Sequence, residues 1–202
     1  MKTYTKTETV RRPMLEITHD SDAQSPREWD NLGYFITCES KYRSPDTDER
    51  LQNIVKNSGE VADNLADHIR LIKENYNNVD DKIIAIYPVY RYEHGNVSYK
   101  LGTAKGFDYA NCGFYIITDK SVKDKGGFSL KGKSLKNYFE TTAKRELATY
   151  TQWANGEVYR FVLHDKAGEV ADSCGGFYDI EDIMEYLPKS WKGENLSAYF
   201  QN

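Results

Sequence analysis

The side chains that could act as acids, bases or metal ligands are few and lie far apart. His94 lies in a turn beside Glu93, and Asp30 and Asp108 also lie in turns. These groups could converge as a hydrolytic or metal site, or they could belong to an ordinary surface. Since the sequence does not bring them together, we expect a surface role, and we predict no catalytic site, no metal ion and no cofactor.

The chain contains none of the best-known catalytic motifs, since it has no P-loop and no GxSxG, HExxH or strand-linked GxGxxG sequence. Cys174 precedes two glycines and could act as a nucleophile, but no base accompanies it, which favours a small buried residue at a strand end. The three cysteines include no CxxC pair, so they indicate neither a disulfide framework nor a zinc site. A non-enzymatic, cytoplasmic protein without a membrane span is therefore expected.

Charge is unevenly distributed along the chain although the formal net charge is only -4. Residues 20–81 carry a local net charge of -7, and residues 119–146 carry +4. Both segments could be solvated surface, or they could form two faces of opposite sign. In the second case an acidic surface would bind a basic partner, and its candidate residues are Asp46, Asp48, Glu49 and Asp63.

The apolar patterns predict an α+β fold, with an antiparallel or mixed sheet built from hairpins and about four helices packed on it. Residues 1–13 are predicted to be a loose arm and residues 14–202 a single domain. Alternating β-branched and aromatic residues predict strands at 14–18, 32–38, 83–92, 97–101, 113–118 and 158–163.

Helices are predicted from apolar spacing and from capping residues. One continuous helix is expected over residues 60–76, whose apolar side chains form a single stripe. Ser44, Ser134 and Asp179 are predicted to be N-caps of three further helices. The lysine-rich residues 120–133 are predicted to be a long loop.

Several short motifs resemble those of uncharacterised bacteriophage and mobile-element proteins. They are SPREWDNLG at residues 25–33, YRYEHG at 90–95, GFYI at 113–116, NGEVYRFV at 155–162 and DSCGGFY at 172–178. In that family the first motif also reads SPREWDNLG, and the last resembles VDSCWGFYG after a GEVYGFV strand. The family's PWDSG motif is GFDYA here, at residues 106–110, and its last tryptophan is Gly175.

The resemblance implies a phage or mobile-element origin, and by analogy with small phage accessory proteins we expect a protein that counters host defence, of the anti-CRISPR or antirestriction type. We expect it to bind a host or competing-element protein stoichiometrically, for instance the nucleic-acid groove of a defence enzyme. Direct nucleic-acid binding is less expected, but residues 120–145 could form a basic face for it. A hydrolase with an unrecognised site is the other alternative.

The first motif is predicted to be a structural corner. Trp29 would pack inside it, and the Asp30 and Asn31 side chains would bond local backbone. Replacing a buried Trp29 by alanine would then cost about 3 to 5 kcal/mol.

Overall fold

The computed structural model describes residues 14–39, 44–77 and 81–201, and its two antiparallel sheets and α-helices confirm the predicted α+β fold. The arm predicted for residues 1–13 lies outside the described residues. The strands are β1 (Met14–His19), β2 (Tyr34–Thr37), β3 (Ile83–His94), β4 (Asn96–Leu101), β5 (Tyr109–Thr118), β6 (Tyr159–His164) and β7 (Val170–Phe177). The α-helices are α1 (Glu49–Val61), α2 (Leu65–Tyr76), α3 (Asp119–Asp124) and α4 (Gly132–Ala154).

The chain divides into two compact units, a smaller one with residues 14–24 and 156–201 and a larger one with residues 25–155. No linker in the sequence indicates this division, and the single domain expected over residues 14–202 stays a prediction. Each unit has its own sheet and its own apolar core.

The larger unit is a four-stranded sheet in the order β2-β5-β3-β4 with helices on both faces. Helix α4 contributes Phe139, Ala143 and Leu147 to the core that contains Tyr115. Helices α1 and α2 pack on the opposite face, in a second core containing Phe114. Because both faces are covered, β5 is buried continuously from Cys112 to Thr118.

The single helix predicted over residues 60–76 is wrong. Helix α1 ends at Val61 and α2 begins at Leu65. The apolar spacing continues across this break, but Val61 is 69% exposed and lies outside the core. The Asn64 side chain accepts a hydrogen bond from the Asp67 amide and so starts a new helix.

Two of the predicted N-caps are also wrong. Asp48, not Ser44, caps α1 by accepting a hydrogen bond from the Leu51 amide at 2.8 Å. Helix α4 begins at Gly132, before Ser134. Asp179 is confirmed as a cap, although it begins a 3₁₀ helix, Ile180–Glu185.

The predicted loop over residues 120–133 contains most of helix α3. Thr118 and Ser121 form a reciprocal capping box that starts this helix. A short cap motif next to a buried strand therefore orders the first part of the lysine-rich segment.

Both edges of the four-stranded sheet are closed by hydrogen bonds. On β2, Asp46 accepts from the Phe35 amide and Ser44 from the Thr37 amide. On β4, the Thr151 hydroxyl accepts from the Tyr99 amide, at 3.1 Å. The Asn155 amide group bonds both the N–H and the carbonyl of Val97, at 2.9 Å each. These contacts occupy backbone groups that would otherwise be available to another strand.

The smaller unit is a three-stranded sheet in the order β1-β6-β7. Its core combines Ile17 and Phe161 from the sheet with Ile183, Trp191 and Leu196 from 3₁₀ turns of the C-terminal segment. Beside β1, Phe200 pairs with Ile17, and the Gln201 amide donates to the Ile17 carbonyl at 2.8 Å. The C-terminal segment therefore closes one edge of this sheet.

Strand β7 forms the other edge and is exposed from Val170 to Gly176. The predicted burial of Cys174 is wrong, because its side chain lies on this exposed strand. Only Phe177 at the end of β7 enters the core.

Within the described ranges, no helix has both the length and the apolar character needed to cross a membrane. The longest, α4, carries several lysine and glutamate residues along its length.

Candidate functional site

The SPREWDNLG motif folds into a compact loop held by its own side chains. The Ser25 hydroxyl accepts from the Arg27 amide, and Pro26 begins a short 3₁₀ turn. The Asn31 side chain donates to the carbonyls of Pro26 and Trp29, at 2.8 and 2.9 Å. The predicted local bonding of Asn31 is therefore confirmed.

Arg27 anchors this loop, with a side chain only 1% exposed. Its guanidinium donates to both carboxylate oxygens of Asp46, with a shortest distance of 2.8 Å, and to Glu146 at 2.9 Å. It also donates to the Gly33 carbonyl, at 2.6 Å, and to the Asn31 side chain. One buried cation therefore connects the motif to the segment before α1 and to helix α4.

The two carboxylates around Arg27 are themselves bonded to the backbone. Glu146 accepts from the Leu32 amide at 2.8 Å and from the Tyr115 hydroxyl at 2.6 Å, and Asp46 accepts from the Phe35 amide. The oxygens of both carboxylates therefore accept hydrogen bonds from other groups as well as from Arg27, as a buried charge network requires.

Burial and the neighbouring charges together shift the pKa values of this network. Burial would lower the pKa of Arg27, but Asp46 and Glu146 raise it above its ordinary value. Burial raises the pKa of Asp46, which Arg27 partly offsets. Burial and Glu146 also raise the pKa of Tyr115, so this phenol stays protonated as a hydrogen-bond donor.

Trp29 lies at the surface of the loop and is 51% exposed. The corner packed by Trp29 is therefore a wrong prediction, because Arg27 holds the loop from inside. The predicted backbone bonding of Asp30 is also wrong, since its carboxylate forms an ion pair with Lys125, just after α3. The Asp30 carbonyl accepts from the same ammonium group at 2.6 Å.

A cavity of about 200 Å³ lies beside this loop, and Trp29, Asp30, Tyr34, Asp124 and Lys125 are among its lining residues. Three carboxylates line it, Asp30, Asp46 and Asp124, and the first two are paired with Lys125 and Arg27. Burial raises the pKa of Tyr34, and Asp48, Asp81, Asp124 and Asp46 raise it further. An aromatic ring beside an acidic cavity can receive a basic side chain through cation–π and ionic contacts.

The predicted acidic surface is smaller than the sequence indicated. The expected exposure of Asp46 is wrong, because its side chain is 12% exposed and is paired with Arg27. Asp48 is half-buried as the cap of α1. Glu49 and Asp63 are exposed, and their role in binding stays a prediction.

Two of the three residues considered for catalysis lie close together, and the third has another partner. His94 and Asp108 lie near each other, with 4.0 Å between Nδ1 and Oδ2, whereas Asp30 pairs with Lys125. In the part of the chain that the structure describes, no group of three or more His, Cys, Asp or Glu side chains is arranged to hold a metal ion.

The lysine-rich region after β5 is partly neutralised by its own acids. Lys123 pairs with Asp119, and Lys144 pairs with Glu140 at 2.6 Å. Together with the Lys125–Asp30 pair, these contacts reduce the charge available for phosphate groups.

Comparisons with protein-family models, curated proteins and solved structures find no match for this chain.

The roles of Arg27, Glu146 and Tyr115 in this buried network were not predicted from the sequence. Arg27 lies inside the most distinctive motif, which was a usable signal. Its partner Glu146 is 119 residues away, and no sequence pattern connects the two.

Proposed function

We propose that this protein works by stoichiometric binding to a partner protein through the motif loop at residues 25–33. The observation that carries the proposal is the half-exposed Trp29, presented beside an acidic cavity by a loop that the buried Arg27 network holds. In this proposal the protein is a phage accessory factor of the anti-CRISPR or antirestriction type, acting in the host cytoplasm.

Rigidity of the loop supports binding. Interfaces draw most of their affinity from a few central residues, among which tryptophan is enriched. A loop already held by Arg27 and Asn31 loses little conformational entropy when a partner covers Trp29. An exposed tryptophan on such a loop is suited to act as an anchor.

The cavity beside the loop supports a basic partner. Asp124 lines it together with the Asp30–Lys125 pair, and Asp48, Asp81 and Asp124 all raise the pKa of Tyr34. A lysine or arginine that normally contacts phosphate could place its cation among these carboxylates and against Trp29. Defence enzymes carry such residues in their nucleic-acid grooves. Their occupation would block DNA or RNA, and the resemblance of the motifs to phage proteins supports this role.

The experiment measures inhibition of purified host defence nucleases against increasing amounts of this protein, with wild type and Trp29→Ala compared. We expect inhibition to saturate at a fixed molar ratio and Trp29→Ala to weaken it by more than about 2 kcal/mol, roughly 30-fold, as for a binding hot spot. Phe107→Ala is the matched control, because Phe107 is also a large exposed aromatic residue of the larger unit.

Two results would contradict the proposal. One is inactivation of the nuclease by far less than an equimolar amount of this protein, which would indicate catalysis. The other is an equal loss of inhibition in Trp29→Ala and Phe107→Ala.

A further inference from the structure

Charge is divided unequally between the two units. In the smaller unit, residues 14–24 and 156–201 contain twelve Asp or Glu and four Lys or Arg, a net charge of -8. In the larger unit, residues 25–155 contain eighteen acidic and nineteen basic residues, a net charge of +1. The described residues of the smaller unit therefore carry a net negative charge, whereas in the larger unit the acidic residues of 25–81 are balanced by the basic residues of 82–155.

The same unit carries a sheet edge, β7, along which no other described segment forms backbone hydrogen bonds. Each of the other three edges is closed by another segment: β2 by residues 44 and 46, β4 by helix α4, and β1 by the C-terminal residues. Within the described ranges, β7 has β6 as its only neighbouring strand. An edge of this kind can accept an added strand through backbone hydrogen bonds.

Two carboxylates accept hydrogen bonds from amides of strand β7. The Ser173 amide donates to the side chain of Asp172 at 2.8 Å, and the Gly176 amide donates to Asp20 at 2.9 Å. Register shifts occur near both ends of the β6–β7 pair, so the regular part of the ladder is Asp172 to Cys174. The Ser173 amide lies within this short stretch, so an incoming strand must replace Asp172 as its hydrogen-bond partner.

The charges at this edge favour a basic incoming strand over an acidic one. Glu169 and Asp172 are exposed at the edge, and no basic residue lies between Lys166 and Lys189. A second copy of β7 would bring Asp172 near its own equivalent, and like charges across strands are destabilising. A strand rich in lysine or arginine would instead complement Asp172 and Glu169.

We propose that β7 is a docking edge that accepts an extended, lysine- or arginine-rich segment of a partner protein as a fourth strand of the smaller unit's sheet. The inference does not depend on Trp29, which lies in the other unit. The backbone of the segment would bond β7, and its basic side chains would contact the surrounding carboxylates.

The probe is a synthetic peptide of alternating lysine and valine with blocked ends, added to the full-length, isotope-labelled protein. We expect the amide signals of residues 170–176 to shift and their hydrogen exchange to slow. Alternate N-methylation of the peptide has two phases, one on the lysines and one on the valines. It should abolish binding in one phase and preserve it in the other, because only alternate amides of a strand face its neighbour. A peptide with glutamate in place of lysine should not bind.

Variants of the protein test the role of charge. Asp172→Asn keeps an oxygen acceptor for the Ser173 amide but removes the charge, and it should weaken peptide binding about 2- to 5-fold, as for one exposed ion pair. Asp172→Lys should weaken binding further. Glu60→Lys, at an exposed position of α1 in the larger unit, makes the same change in charge as Asp172→Lys and should leave binding unchanged.

Several outcomes would overturn the proposal. Binding that does not protect β7, or that tolerates N-methylation in both phases, would show that no strand is added. Self-association through β7 without peptide binding would assign the edge to a second copy. Peptide binding that requires deletion of residues 1–13 would assign the edge to the chain's own N-terminal segment. Trp29→Ala should leave peptide binding intact, which separates this proposal from the motif-loop function.

Discussion

Arg27 shows how one residue can determine the position of several segments. Its guanidinium bonds two carboxylates, a backbone carbonyl and an amide side chain while almost fully buried. Such a network contributes to stability only while it is complete, because any partner left alone is an uncompensated buried charge.

Arg27→Ala should therefore destabilise the protein by about 3 to 5 kcal/mol, the usual cost of breaking a buried ion pair. Arg27→Lys should restore little, because lysine lacks the planar fork that bonds Asp46 and Gly33 together. Urea denaturation measures both effects. The matched control is Arg70→Ala, whose solvent-exposed pairs with Asp67 and Glu74 are expected to contribute little to stability. Equal losses in the Arg27 and Arg70 variants would contradict this account.

Trp29→Ala should lower the free energy of unfolding by less than about 3 kcal/mol, because half of the side chain already contacts solvent. This replaces the loss of about 3 to 5 kcal/mol that burial would have implied. Trp191→Ala provides the comparison, since Trp191 belongs to the core of the smaller unit and should show the larger loss. Thermal or urea denaturation of the two variants would test the difference, and a large loss for Trp29→Ala would restore the structural corner.

At the scale of elements, alternating patterns located most strands well. The hairpin of β3 and β4 turns at Gly95, whose φ of 82° suits glycine, close to the predicted turn. The break between α1 and α2 could not be predicted from periodicity, because Val61 continues the apolar stripe although it lies outside the core. The predicted cap Ser44 instead accepts a hydrogen bond from the Thr37 amide beside β2, and Asp48 accepts from the Leu51 amide to begin α1.

The candidate site was predictable only in part. The motif loop and the local bonds of Asn31 depend on residues close in sequence, so they could be predicted. The network around Arg27 depends on partners 19 and 119 residues away, which no local pattern specifies. The exposure of β7 was also missed, because small residues such as Cys174 suit a buried strand and an open edge equally well.

Asn155 tests the closure of the β4 edge. Its side chain bonds both backbone groups of Val97, so Asn155→Ala should cost about 1 to 3 kcal/mol by leaving them without protein partners. Hydrogen exchange at the Val97 amide should become faster. Asn53→Ala, at an exposed position of α1, is the control and should have little effect. Unchanged exchange at Val97 would show that the asparagine does not protect this edge.

At the scale of the whole molecule, buried tyrosines predict loss of stability at high pH. Burial is the largest cause that raises the pKa values of Tyr76, Tyr99 and Tyr115 in the folded protein. The unfolded chain loses these protons near the ordinary value of 10, while the folded protein still holds them. Stability should therefore be unaffected by these groups below about pH 9 and fall as the pH rises through 10.

Urea denaturation between about pH 8 and pH 11 would measure this fall. In Tyr115→Phe the pH slope above 10 should be smaller, even though the loss of the bond to Glu146 lowers stability at every pH. A stability that does not change across this range would show that the three phenols ionise equally in both states.

The sheet edges are closed unequally, and this limits the number of strands that can be added to them. Growth of an edge-to-edge filament requires two free edges on every molecule, one for each neighbour. The described part of this chain leaves only β7 without a neighbouring segment. In the proposed docking, pairing through β7 would therefore end with one partner strand, which gives a complex of one-to-one composition and no polymer.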